Sequence, residues 1–287
     1  MTDAALDWPR IAADLNAQGW AMTGPLLTPA TCKALQALYD QPERFRSRIV
    51  MQRHGFGQGE YQYFAEPLPD PLPRLRARLY EGLAPVADDW AARLGRPGFP
   101  AQLDELTARC RAAGQTRPTS LMLRYGPGDY NRLHQDLYGE LVFPLQAAIL
   151  LSDPAEFEGG EFVLVEQKPR SQSQAHVAPL KQGQAVIFAV RERPVAGTRG
   201  DYRVQMRHGV STVRPGKRMT LRMGPQTVDY IIEADGDSTT LRLVHDGFST
   251  DAAFDGEYDP PLGGWQTFFA MLRNDVERHY DEPAGNF

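Results

Sequence analysis

The spacing of apolar positions changes twice along the chain. In the N-terminal third they recur three and four residues apart, in Trp8, Ile11 and Leu15, in ATCKALQALYD and in PLPRLRARLYEGLAPVADDWAARL. That is the period of helices with one buried face. Thr28 ahead of Pro29 reads as an N-cap followed by the first helical residue. Between the helices, RHGFGQGEYQYFAEPLP passes from glycines into alternating aromatics, a loop leading into a strand. From Ser120 the pattern becomes short β-rich runs: SLMLRYG, ELVFPLQAAILLSD, GGEFVLVE, GQAVIFAV, YRVQMRHGVSTV and KRMTLRM, punctuated by Gly, Pro and Asp. No long helix separates them, so an antiparallel sandwich or jelly roll is expected rather than a parallel βαβ sheet. The polar stretch from Glu166 to Gln182 is expected to be a flexible lid. After Met223 comes a third texture. Two strands are expected around the turn Asp235-Gly236-Asp237. A helix then carries Trp265, Phe268, Phe269, Leu272 and Val276 on one face.

These changes divide the chain into a mainly helical region over 1–117, a β core over 118–224 and a strand-strand-helix extension over 225–287. At 287 residues and 42% hydrophobic, the chain has enough apolar material for a sizeable core. No run of about 18 apolar residues is present, so no membrane partner is expected. The opening MTDAALDWPR lacks the basic and apolar segments of a secretory leader. Cys32 and Cys110 are the only cysteines, too few for a disulfide framework or a Cys-rich zinc site, and a cytoplasmic location is expected. A formal charge of −5 argues against general binding of nucleic acid. The local excess of Arg191, Arg193, Arg199, Arg203, Arg207 and Arg214 is expected to decorate solvated faces.

Within the β core, LHQDLYG sets His134 and Asp136 two residues apart. Side chains at i and i+2 leave the same face of a strand, so the pair can share one metal ion. His208, at the end of YRVQMRH, is the best-placed third ligand; His176 sits in the expected lid and His245 beyond the β core. Two histidines and one carboxylate on one face of a metal leave adjacent positions open, as non-haem Fe(II) oxygenases require. A structural zinc site would normally be closed and use Cys. Arg218 lies ten residues beyond His208, across Arg214-Pro215-Gly216-Lys217, which reads as a turn between antiparallel strands. Returning beside the histidine strand, its guanidinium would reach a dicarboxylate by the far carboxylate.

YGPGDYNRLHQD, LLSDPAEFEGGEFVL and RHGVSTVRPGKR together resemble the core of the 2-oxoglutarate/Fe(II)-dependent dioxygenases, most closely the prolyl 4-hydroxylase-like branch, over residues 118–223. The resemblance implies a double-stranded β-helix (jelly roll) with His134, Asp136 and His208 as ligands of Fe(II). It implies Arg218 and Tyr125 on the distal carboxylate of 2-oxoglutarate, and Gln146 beside the same co-substrate. O₂ as oxidant and a requirement for ascorbate are implied likewise. Because the carboxylate ligand Asp136 is present, hydroxylation is implied rather than halogenation. The expected substrate is a prolyl or other protein residue, or a small molecule. The extension resembles the end of a START-like domain, too short to enclose a ligand, with its helix a candidate homodimer contact. The alternative to an enzyme is a β-barrel that binds metal or 2-oxoglutarate as a sensor or interaction protein without turnover.

Overall fold

The computed structural model describes residues 2, 5–137, 139–215, 218–223, 226–235, 238–246, 265–267 and 269–270, with the backbone alone described from 215 to 246. Contacts divide it into two compact units, Met1–Gly216 and Lys217–Phe287.

The first unit opens with helix α1 (Trp8–Gln18), strand β1 (Trp20–Pro25), helix α2 (Pro29–Gln36), strands β2 (Phe45–Val50), β3 (Gly57–Gln58) and β4 (Glu60–Phe64), and helices α3 (Leu72–Arg93) and α4 (Leu103–Ala112). The Asp7 carboxylate accepts from the Arg10 amide and caps α1, which ends at Gly19 with φ 81. Thr28 caps α2 by accepting from the Thr31 amide, with proline in the first turn as the sequence predicts. Strands β5 (Leu121–Arg124), β6 (Tyr130–His134), β7 (Leu145–Ile149), β8 (Phe157–Gly159), β9 (Phe162–Gln167), β10 (Gln174–Ala178), β11 (Gln184–Ala189), β12 (Glu192–Gly197), β13 (Gly200–Val210) and β14 (Val213–Pro215) follow.

Two antiparallel sheets frame the interior. One runs β1-β11-β7; the other runs β10-β9-β13-β6-β3, with β12 also paired to β13. Strand β11 is buried from Ala185 to Ala189 because both of its faces are covered. Ala185, Ile187 and Ala189 meet the helices through Ile11, Leu15, Leu83, Val86 and Trp90. Val186 and Phe188 meet Leu164 and Ala178 of the other sheet. A second three-stranded sheet, β2-β4-β5, completes this unit together with the β14-β8 pair.

Three expectations change here. The N-terminal region supplies more strands than the one expected after its glycines: β1 and β3 hydrogen-bond into the two sheets that frame the interior, and β2 and β4 pair with β5. Glu166–Gln182 is not a loose lid. Gln174–Ala178 pairs along its whole length with β9, because alternate residues Ala178 and Leu164 find burial between the sheets. Arg193 does not decorate a solvated face. It is 2% exposed, bonded at 2.6 Å to Glu166 and donating to the carbonyls of Asn16 and Ala17, the last turn of α1.

In the second unit β15 (Arg218–Met223), β16 (Gln226–Asp235) and β17 (Ser238–Asp246) form an antiparallel sheet in that order. The two strands expected around Asp235-Gly236-Asp237 are β16 and β17, in register from Thr227↔Asp246 to Asp235↔Ser238. The expected C-terminal helix is described at Trp265, Gln266, Thr267, Phe269 and Ala270; Phe268, Leu272 and Val276 lie outside the described residues. Among the described residues no helix is long and apolar enough to cross a membrane.

Candidate metal centre

His134 ends β6 directly opposite His208 of β13. Asp136 lies in the coil just after β6, so the pair straddles a strand end instead of sharing one strand face. The expected convergence is present: the ligand atoms of His134, Asp136 and His208 all lie within 4.8 Å of one another. His134 Nε2 is 3.5 Å from one carboxylate oxygen of Asp136, and His208 Nε2 is 3.4 Å from the other. Ligand atoms at right angles around an ion, each about 2.1 Å from it, stand about 3 Å apart, so the three would draw closer together on binding a metal.

The ladder between β6 and β13 is irregular at this point. His208 opposes His134 while Val210 opposes Asn131, an extra residue on β6. Bulges of this kind re-aim side chains beside active sites. Gly209 sits across from it, where a Cβ would lie 2.7 Å from the Asn131 carbonyl oxygen.

Each ligand has its own setting. His134 Nδ1 is 2.7 Å from the Arg132 carbonyl, which can only accept, so Nδ1 carries a proton and Nε2 is the nitrogen turned toward Asp136. His208 is 6% exposed, its ring 4.6 Å from Phe188 and stacked on Phe162 at 5.8 Å. Burial pushes its pKa below the ordinary imidazole value, favouring the neutral, ligating form. Burial alone would raise the pKa of Asp136, but hydrogen bonds from both imidazoles hold the carboxyl well below the usual carboxylate range. For His134 burial acts downward, and the bonds to Asp136 and to the Arg132 carbonyl outweigh it.

Two further expected residues carry buried polar atoms without hydrogen-bond partners, the Tyr125 hydroxyl and Gln146 Oε1. Gln146 and Trp20 flank Phe188 on neighbouring strands, on the face turned toward His208. Burial pushes the Tyr125 phenol up, the neighbouring Asn131 side chain pulls the other way, and the charges of Asp129 and then Asp136 add to the rise, so the hydroxyl keeps its proton. Arg218 opens β15 in the second unit and pairs with Ile231 of β16; its side chain lies outside the described residues.

Residues not singled out from the sequence also belong here. Phe162 and Phe188 wall His208. Tyr61 of the alternating aromatic run feels the charge of Asp136; burial first and then its neighbours push its phenol up to about 12. His54 instead stacks on Phe56, and His176 lies beside Trp20. Gln135, between the two ligands, bonds to the neighbouring strands.

A family described as "Oxygenase, catalysing oxidative methylation of damaged DNA" matches residues 59–224, more than half of the chain. The chain belongs to this oxygenase family. The matched span holds Tyr125, His134, Asp136, Gln146, His208 and Arg218. This oxygenase is also 52% identical over 160 residues to the uncharacterized proteins MT2286 and Rv2227 of two Mycobacterium tuberculosis strains, covering 55% of this chain and 69% of each relative. A crystal structure of a Pseudomonas putida prolyl-4-hydroxylase overlaps 73% of this oxygenase and 100% of its own chain at 16% identity, with a TM-score of 0.38.

Proposed function

We propose that this oxygenase is a non-haem Fe(II) enzyme that consumes 2-oxoglutarate and O₂, releases succinate and CO₂, and hydroxylates its substrate. The observation that carries the reading is the convergence of two imidazoles and one carboxylate within 4.8 Å. The donor set suits iron: neutral nitrogens, a single charged oxygen and no thiolate. The unpartnered Tyr125 hydroxyl and Gln146 Oε1 support a polar guest beside it. A buried polar atom left alone costs about 1–3 kcal/mol, and a bound ligand offsets that. The two facing antiparallel sheets support a double-stranded β-helix.

His134, Asp136 and His208 would hold the iron. When bound, iron supplies the coupling of O₂ activation to oxidative decarboxylation of 2-oxoglutarate. By the sequence resemblance, Tyr125 and Arg218 would bind the far carboxylate of the co-substrate, and Gln146 would lie beside it. Phe162 and Phe188 keep water from the His208 side, where that residue is 6% exposed. His134, with a third of its side chain exposed, marks the side open to substrate. Ascorbate would keep the iron reduced, in the cytoplasm. The extension over 225–287 is assigned no activity; the family match ends at residue 224.

For the substrate, the sequence resemblance favours a prolyl or other protein residue. The family's description favours a second reading, a lesion in damaged DNA, against the expectation drawn from the net charge. One assay separates them. The purified chain receives Fe(II), 2-oxoglutarate, ascorbate and O₂, alone, with proline-containing peptides, or with alkylated oligonucleotides. Succinate should form with wild type and not with Asp136→Ala, and the true substrate class should raise its yield. Binding of Fe(II) and 2-oxoglutarate with no succinate under any condition would point instead to a sensor.

A further inference from the structure

Between the two ligands of the HxD pair stands Gln135, and its side chain occupies a gap in the sheet. Strand β9 covers one edge of β13. On the opposite edge β12 pairs up to Gln205 and the β6 ladder begins at His208; the Met206 amide donates to the Arg191 carbonyl just before β12, which leaves the Met206 carbonyl and Arg207 between the two ladders. A continued β6 would set Asp136 opposite Met206, but β6 stops at His134. The Gln135 side-chain amide fills the interval. Its Nε2 donates to the carbonyls of Met206 at 2.8 Å and Arg191 at 3.1 Å, with Gln205 Oε1 at 3.2 Å. Both carbonyls only accept, which fixes the NH₂ end of the amide as the end that faces them. The tie continues outward: Gln205 donates to Glu192 at 3.2 Å, and Glu192 pairs with Arg96.

Resting on the metal-centre reading, we propose that Gln135 is a positioning residue: it ties the turn that presents Asp136 to β13, two residues before His208, and thereby sets the affinity and geometry of the triad for its metal. It touches no reacting atom. Its amide does for the turn what ladder bonds do for β6, holding Asp136 clear of the sheet while fixing the distance between the two ligand-bearing segments. Residues that orient ligands commonly change metal affinity by about 10–100-fold when removed.

The test uses the full chain and Co(II) as probe, titrated by its d–d absorption well below the melting temperature. Gln135→Met keeps length and loses the amide. Gln182→Met, which loses a similar side-chain bond to the Leu151 carbonyl at 2.9 Å, controls for the loss of one such bond elsewhere. Gln135→Met should bind Co(II) about tenfold or more weakly with shifted bands, whereas Gln182→Met should match wild type. Gln205→Met, which removes one acceptor and leaves both carbonyls, should weaken binding in the same direction by less, and it serves if Gln135→Met does not fold. Wild-type affinity and bands in Gln135→Met, or in Gln205→Met should it stand alone, would overturn the proposal, as would equal weakening in Gln182→Met. A wild type that binds no Co(II) would sink the metal-centre reading itself, and the proposal with it.

Discussion

Replacing Gly209 by alanine tests whether the two histidine strands must approach as closely as they do. The new Cβ would meet the Asn131 carbonyl oxygen at 2.7 Å and the Arg132 carbonyl carbon and oxygen at 3.2 Å. Carbon-to-oxygen contacts between strands normally lie at about 3.3–3.6 Å, so β13 and β6 must part by roughly 0.6–0.9 Å. Metal sites tolerate about 0.2 Å in their ligand distances. His134 and His208, paired beside this point, therefore cannot both keep their places. Overpacking of this kind costs about 1–3 kcal/mol, and binding that draws the strands together again is opposed by the same amount, about five- to 150-fold in Kd. Urea unfolding of Gly209→Ala should show the stability loss, and Co(II) titration the weaker affinity. A variant with wild-type midpoint and Kd would refute the close-approach reasoning. One that is destabilised but binds normally would refute the link between strand spacing and ligand geometry.

Arg193→Met should cost about 3–5 kcal/mol in urea unfolding, because it strips α1 of two carbonyl caps and leaves the Glu166 carboxylate, 5% exposed, with Lys168 at 3.1 Å. Adding Glu166→Met should recover much of that loss; a double variant as poor as the sum of the singles would count against the ion pair. Burial alone would raise the pKa of Glu166, but its bonds from Arg193 and Lys168 lower it below the ordinary 4.5. Its contribution is therefore complete above about pH 4.5 and lost as pH falls through the lower folded value, so melting temperature should drop on acidification less steeply in Glu166→Gln than in wild type. A hydroxyl bonded to a carboxylate is worth about 1.5–3 kcal/mol, so Tyr125→Phe should raise the calorimetric Kd for 2-oxoglutarate roughly tenfold or more, with Co(II) affinity unchanged. An unchanged 2-oxoglutarate Kd would remove Tyr125 from the site.

The triad was legible because its chemistry is compressed into residue types that have few other reasons to coincide, with His134 and Asp136 two residues apart and His208 late in a strand. The strands of the β core were legible from their apolar alternation and turn residues. What surrounds the triad was not. The bulge opposite Gly209 depends on register between strands far apart in sequence, which no local pattern encodes. Gln135 looks like a solvated spacer until folding brings the carbonyls of Arg191 and Met206 within reach of its amide. Glu166–Gln182 read as a lid because polar residues dominate it, and the pairing of β10 along β9, which buries Ala178, depends on register that no local pattern encodes. Arg193 read as a surface charge because its partner Glu166 and the end of α1 are brought to it by folding alone.

His134 and His208 are 74 residues apart in the chain, and most of the β core is laid down between them. An extended chain therefore offers an ion at most the HxD pair, and the full set of donors exists only after that long loop has closed. Assembly of the site is thus a late event, dependent on contacts of high sequence separation and correspondingly slow. An ion that waits for this closure acts as a reward for completed folding: it stabilises the finished molecule by mass action and gives little guidance to chains still finding their register. Adding metal during refolding should therefore slow unfolding far more than it speeds folding.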